Sequence, residues 1–458
     1  MRSSNGADAF LGKLKNHIPE AMSLVFGDQA WTYSDLLHHV EDLYNLWKPE
    51  INAGDVIYIN GDYSCASISS LLVLARLGAI IVPDASTLLE ESEKRYEVIP
   101  PTWFVNCEAM TAKLVKNEGA QVFSHQYIDD LRNNEEPGLV LFSSGSTGAP
   151  KAMVHNLNAL LGRFNANKKS KLSIMIFLMF DHIGGINTLL NGLSIGSKLV
   201  FSQSRSPEEV SNAIQDNKVN VLPTSPTFLN LLLLHAAEHN YSFPSLKLIT
   251  YGTEPMPGHV LARAKKMFPR VKMVQTYGTS ETGIAHTQSD ALDDSRFRIS
   301  DPDTEVKIVD DELWLKSRTQ ISGYLNSDNG SFNADGWFMT GDLVEEAKDG
   351  YFRIVGRLKE VINVGGQKVM PQEVEEILLN MDGIKDCVVF PMQNPLLGQV
   401  VGCKVVTESG VTESTFRGEL RKYCQGKLER YKIPVNITFV ETLGHTSRFK
   451  KNRLGLVN

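Results

Sequence analysis

Hydrophobic positions in the first hundred residues fall into short strand-like runs separated by stretches with helical spacing. Residues 54–59, Gly54-Asp55-Val56-Ile57-Tyr58-Ile59, predict a buried strand, residues 67–77 a helix, and residues 78–83 a second strand. Just before them, Ala30-Trp31-Thr32-Tyr33-Ser34-Asp35 reads as a strand edge entering a helix capped by Ser34 or Asp35. Strand, helix, strand in succession implies a parallel α/β sheet. The alternation returns with strands at 198–201, 219–222, 246–251 and 271–276, and a helix at 207–215. After residue 361 the pattern changes. A glycine-punctuated hairpin at 362–369 precedes a helix opened by Pro371, strands at 387–390 and 400–406, and a helix at 416–425. That tail has the size of a compact α+β unit.

A chain of 458 residues exceeds what one hydrophobic core normally serves, so at least two domains are expected. With 42% hydrophobic and 22% charged residues, the composition is that of a soluble globular protein. A net charge of −7 argues against general nucleic-acid affinity. The apolar runs at 174–180 and 229–234 are too short to span a bilayer, and the first residues lack the apolar stretch of a signal peptide. A cytoplasmic protein without a stable membrane anchor is the expectation. Cys65, Cys107, Cys387, Cys403 and Cys424 are odd in number and scattered, which favours reduced, packed thiols over disulfides or zinc.

Chemistry enters at Leu139-Val140-Leu141-Phe142, where an apolar run empties into Ser143-Ser144-Gly145-Ser146-Thr147-Gly148-Ala149-Pro150-Lys151. Small residues let backbone N–H groups approach an anion, hydroxyls donate further hydrogen bonds, and a lysine adds a point charge. The spacing is not that of the common P-loop, and a plain surface loop is the competing reading. Helix-compatible composition follows at 154–161. Later, Tyr277-Gly278-Thr279-Ser280-Glu281 joins an aromatic face, a permissive glycine, hydroxyls and a carboxylate able to hold Mg²⁺. Asp342 in Gly341-Asp342, and Arg357 and Lys359 in Gly356-Arg357-Leu358-Lys359, read by composition alone as solvated turn charges.

Taken in order, these segments and the terminal Thr446-Ser447-Arg448-Phe449-Lys450 resemble the motifs of the adenylate-forming superfamily, which includes acyl-CoA synthetases, adenylation domains and luciferases. The resemblance implies a large N-terminal domain of parallel and mixed sheets flanked by helices, residues 1–358. A small mobile α+β domain, residues 359–458, would swing about a hinge at Lys359. It also assigns roles. Ser143, Ser144, Gly145, Ser146, Thr147, Gly148 and Lys151 would cradle the ATP phosphates, and Gly252, Thr253 and Glu254 would border the adenine and acyl pocket. Tyr277 and Gly278 would meet adenine, Ser280 the α-phosphate, and Glu281 the Mg²⁺. Asp342 and Arg357 would hold the ribose. His182 would line the acyl pocket with Gly184, a helix cap being its alternative. Asp181 would pair with an amino-acid ammonium, or cap a helix. Gly365 and Gly366 would line the thiol's approach, and Lys450 would contact the carboxylate and α-phosphate. Phe449 stands where the family usually has glycine.

The implied reaction is AMP-forming activation of a fatty or aryl carboxylic acid, followed by thioester formation with CoA. A stand-alone enzyme loading the phosphopantetheine of a carrier protein is one alternative. A nucleotide-binding subunit without catalysis is another.

Overall fold

The computed structural model describes residues 6–143, 150–290, 295–408, 411 and 413–443. The strand–helix–strand pattern builds two separate seven-stranded sheets. One runs, edge to edge, Lys272–Gln275, Leu248–Tyr251, Val221–Thr224, Ser173–Met175, Lys198–Phe201, Met22–Phe26 and Gln29–Thr32, parallel except for the last strand. The other runs Gly323–Tyr324, Lys151–Asn156, Gly138–Ser143, Ile80–Asp84, Val56–Asn60, Trp103–Glu108 and Thr111–Lys116. Its four inner strands, Gly138–Ser143 to Trp103–Glu108, are parallel and its margins antiparallel. Helices buried on nearly every side separate the sheets: Cys65–Leu77 buries Cys65 to Ala75 without a break. Such a helix shows no polar face because it has protein on both sides.

Two local expectations are corrected. The helix Tyr33–Trp47 is capped by Thr32, whose hydroxyl accepts from the Asp35 N–H while Asp35 accepts from the Thr32 N–H. This reciprocal box satisfies two donors that Ser34 would leave open. Residues 154–161 are not one helix. The chain turns back as the strand Lys151–Asn156, antiparallel to Gly138–Ser143, and only then enters the short helix Leu157–Gly162, capped by Asn156. Met153, Val154 and His155 lie in the sheet interior, where a pleated, apolar environment outweighs helix-compatible composition.

A third sheet of six antiparallel strands includes Phe338–Glu346 and Phe352–Arg357. The short 3-10 turn Leu358–Glu360 follows it. Beyond lies the sheet Gln367–Val369, Ile362–Val364, Gly398–Thr407 and Ile384–Asn394, with Asn436–Phe439 paired to Gly398–Thr407. The helices Pro371–Leu379 and Glu413–Cys424 close a core around Val374, Leu378, Val389 and Leu420. All five cysteines are free thiols, four of them buried. No helix among the described residues is long and apolar enough to cross a membrane.

Candidate active site

The carboxyl ends of the parallel strands face a cleft of about 950 Å³. This is where open α/β sheets bring loops from several strands together. One end of the cleft is charged and hydroxylic. Ser143 and Lys151, paired across the two strands that flank the central loop, line it beside Thr279, Ser280, Glu281, Arg357 and Lys359. Tyr324 joins the loop cation to the acid: its hydroxyl donates to Glu281 Oε1 at 2.9 Å, and Lys151 Nζ stands 5.3 Å from its ring centre. Burial and the neighbouring Glu281 carboxylate push the Tyr324 phenol far above its ordinary value, so it remains a neutral donor.

Gly252 and Thr253 form the adjoining wall. Thr253 adopts a φ of 73°, a left-handed conformation costly for a β-branched residue. Its hydroxyl is buried without a hydrogen-bond partner among the described residues. Strain combined with an unsatisfied polar atom is characteristic of ligand sites. Gly278 is required by close approach: a Cβ there would stand 2.5 Å from the Gly283 carbonyl oxygen and 2.7 Å from Ile284 Cα.

Several expected contributors stand beside the cleft rather than in its wall. Tyr277 does not present its ring there. It packs with Phe297, Leu313, Val344 and Phe352, and its hydroxyl donates to Asp342 Oδ2 at 2.6 Å. Arg357 Nε meets the other oxygen, Oδ1, at 2.9 Å. Asp342 is thus held between a phenol and a guanidinium, which fixes the orientation of its carboxylate. Burial and the Asp342 charge hold the Tyr277 phenol well above its usual value. Glu254 turns away: its carboxylate accepts from the Thr227 N–H at 2.8 Å, at the first turn of the helix Pro226–Glu238. Backbone donors at a helix N-terminus attract a carboxylate.

Asp181 is corrected as well. It is buried against Arg95, 3.3 Å away, and Arg95 also meets Asp84 at 2.6 Å. Its carboxylate is engaged in an internal ion pair, and Asp181 does not line the cleft. His182 caps a helix and borders the cleft. Its Nδ1 accepts from the Gly184 N–H at 3.1 Å, capping the helix Ile183–Ser194, and its ring lines the cleft with Gly184. Gly365 and Gly366 form the exposed tip of the hairpin Ile362–Val364 to Gln367–Val369, at φ of 57° and 89°, away from the cleft wall. Ser144, Gly145, Ser146, Thr147, Gly148 and Lys450 lie outside the described residues.

Tyr324, Thr276, Asn187 and Asn191 line or brace the cleft although no motif singled them out. For the two asparagines a signal existed. Gly184, Asn187, Thr188 and Asn191 recur at helical spacing on a helix that is otherwise apolar.

Among the described residues no group of three or more His, Cys, Asp or Glu side chains could hold a metal unaided. Two carboxylates line the cleft, Glu281 and Glu360, and Glu281 beside the cleft hydroxyls suits Mg²⁺, which commonly binds through one or two carboxylates plus substrate phosphates.

The comparisons agree with this geometry. The family model described as AMP-binding enzyme matches residues 14–325, and that described as AMP-binding enzyme C-terminal domain matches residues 373–450. A 2-succinylbenzoate–CoA ligase of Bacillus licheniformis is 26% identical over 479 residues, covering 95% of this chain and 96% of that protein. Among solved structures, the o-succinylbenzoate CoA synthetase of Bacillus subtilis in complex with an acyl-adenylate intermediate superposes with a TM-score of 0.79 at 21% identity, over 98% of both chains. An anthranilate CoA ligase in complex with anthranoyl-AMP gives 0.82 at 19% identity, over 98% of this chain and 96% of that one.

Proposed function

This chain belongs to the AMP-binding enzyme family, and on that premise we propose that it is an AMP-forming carboxylic acid:thiol ligase using ATP, Mg²⁺ and CoA. The observation that carries the reading is the continuity of one cleft, with Lys151, Ser280, Glu281 and Arg357 at one end and an apolar floor of Ile174, Val221 and Leu248 at the other. A molecule spanning it would place an acid's carboxylate where the nucleotide phosphates lie.

In the first half-reaction a carboxylate oxygen attacks the α-phosphorus of ATP. The new O–P bond forms as the bond to pyrophosphate breaks, giving an acyl-adenylate. The attacking carboxylate is ionised at neutral pH, so no general base is needed. The difficulty is bringing two anions together, and we assign its relief to Lys450, Lys151 and the Ser280 hydroxyl. Mg²⁺ held by Glu281 supplies Lewis-acid charge to the phosphate oxygens when bound. In the second half-reaction a CoA thiolate attacks the activated carbonyl and AMP leaves as the C–O bond breaks. We assign the thiol's approach to Gly365-Gly366, brought to the cleft by rotation of residues 359–458 about Lys359. The ion pair between Asp181 and Arg95 supports an acid without an amino group.

The test is acid-dependent ATP–pyrophosphate exchange over fatty, aryl and amino acids, with wild type beside Lys450→Ala, followed by addition of CoA. Exchange with one acid class, lost in the variant, and thioester formed with free CoA are the expected results. ATP binding without exchange for any acid would overturn the ligase reading in favour of a noncatalytic nucleotide binder. Transfer only to a pantetheinylated carrier would overturn the CoA assignment.

A further inference from the structure

The acyl end of the cleft has two unlike walls. Its floor is the face of the parallel sheet, where Ile174, Val221 and Leu248 stand in register across three neighbouring strands and are apolar. Its roof is the helix Ile183–Ser194, which runs from the cleft mouth at Gly184 to the amino ends of those strands. There the Ile195 carbonyl accepts from the Ser170 N–H, and the Lys198 N–H reaches the Leu172 carbonyl. Most of this helix is packed on Ile186, Leu189, Leu190 and Leu193. The stripe turned to the cleft is polar: Asn187, Thr188 and Asn191.

A polar stripe on an otherwise apolar helix normally faces bulk solvent. Here it faces an internal slot opposite aliphatic side chains. Thr188 is satisfied by its own helix, donating to the Gly184 carbonyl at 2.7 Å. Asn191 is oriented from outside the helix. Its Oδ1 accepts from Asn167 Nδ2 at 2.8 Å, and Asn167 sits in a turn whose carbonyls are gathered by Lys13, at 2.9 Å from Asn167 O and 3.1 Å from Asn165 O. With its oxygen engaged, Asn191 has its amide N–H groups to offer. The Asn187 side chain meets no hydrogen-bond partner among the described residues. Arg163, a formal charge lining this part of the cleft, is matched by a buried ion pair with Asp301.

We propose that the acid this cleft selects is largely apolar and carries a neutral hydrogen-bonding group, a hydroxyl, carbonyl or amide, on the edge that faces Asn187 and Asn191. The inference rests on the acid-activation reading and specifies its substrate. At a rise of about 1.5 Å per residue, the two amides stand about 5 and 10 Å beyond Gly184, so the group lies in the distal part of the acid. A second carboxylate is disfavoured because the Arg163 charge is already matched. A plain hydrocarbon tail leaves the Asn187 and Asn191 amides desolvated without partners, which penalises the acid that lacks the group.

The experiment compares matched acids in pyrophosphate exchange: a ring-hydroxylated aryl acid against its deoxy parent, a keto-alkanoate against the plain alkanoate, and a dicarboxylate of equal length. Wild type is set beside Asn187→Leu and Asn191→Leu. Wild type is expected to favour the substituted member of at least one pair by about tenfold or more in kcat/KM, and Asn191→Leu to erase or invert that ratio. Ligand-induced shifts of the thermal midpoint with the same acids read discrimination without catalysis. If exchange fails for every acid while the shifts still discriminate and respond to Asn191→Leu, the ligase reading falls and the cleft assignment stands. Equal binding within every pair, an unchanged ratio in both variants, or preference for the dicarboxylate would overturn the assignment.

Discussion

The two ends of the cleft are built on opposite plans. At the nucleotide end key side chains are tied to one another, Tyr324 to Glu281 and both Tyr277 and Arg357 to Asp342, beside Thr253 in a strained conformation. At the acyl end the walls are ordinary secondary structure, a sheet face and a helix stripe, with the Asn187 amide facing the slot. A preorganised site stabilises one charge pattern for every substrate, whereas a wall of exchangeable side chains sets which substrate enters. Substitutions at the first end should therefore slow all acids alike, and those at the second should change their ranking.

The largest effect is expected from Glu281→Gln, which keeps an oxygen for Tyr324 and removes the charge. Exchange should fall by about a hundred- to a thousandfold for every acid, as when a preorganised charge-stabilising group is removed. Apparent affinity for Mg²⁺ in the presence of ATP should weaken with it. A variant that loses activity with one acid and keeps it with another would break the division between the two ends. Next comes Tyr277→Phe. Deleting a buried hydrogen bond to the Asp342 carboxylate should cost about 1.5–3 kcal/mol. It should appear as weaker AMP binding in calorimetry, with acid preference unchanged.

A third prediction probes the support beneath the nucleotide end. His155 is fully buried on the strand Lys151–Asn156, beside the backbones of Ser280 and Thr319, and burial pushes its pKa down from 6.5 to about 4. The folded state thus holds the neutral imidazole, and the unfolded chain binds the proton more readily. The contribution is fully present above pH 6.5 and is lost as pH falls from there toward 4. Between pH 7 and pH 5 the loss should be about 2 kcal/mol. Urea unfolding of wild type against His155→Gln should show that difference in slope, and parallel pH profiles would remove His155 from the account.

The division also explains what was legible in the sequence. Ser143 to Lys151 and Gly278 to Glu281 stand out in the sequence as strings of unusual residues, whereas Arg357 and Lys359 read by composition alone as solvated turn charges. What each side chain does within those strings was less legible. Tyr277 and Glu254 sit in motif positions yet face the core and a helix start, because a phenol near a buried carboxylate and a carboxylate near free N–H groups each find a partner at hand. The strand at 151–156 was hidden for a related reason, its place in the sheet being set by pairing with residues 138–143 rather than by local propensity. Asn187 and Asn191 belong to no motif, since their role comes from the face of a helix, and only the spacing 184, 187, 188 and 191 marks it.

The smallest effect, and the one that joins the two ends, belongs to His182→Ala. This histidine has an observed task and a proposed one, with different readouts. As the cap of the helix Ile183–Ser194 it accepts from the Gly184 N–H, and losing a side-chain cap typically costs about 1 kcal/mol. As a residue of the cleft lining it would, on the proposed reading, meet an acid held between the charged end and the asparagine stripe. The cap accounts for stability alone, so a thermal midpoint lowered by a few degrees with kcat/KM unchanged for all acids would confine His182 to the helix. The comparison of the two ends predicts more: the midpoint should fall and the ranking of acids should shift, while pyrophosphate release remains dependent on ATP and Mg²⁺ as in wild type. His182→Asn separates the contributions, because asparagine restores a capping oxygen without the imidazole ring. That variant should recover the midpoint and keep the altered acid ranking.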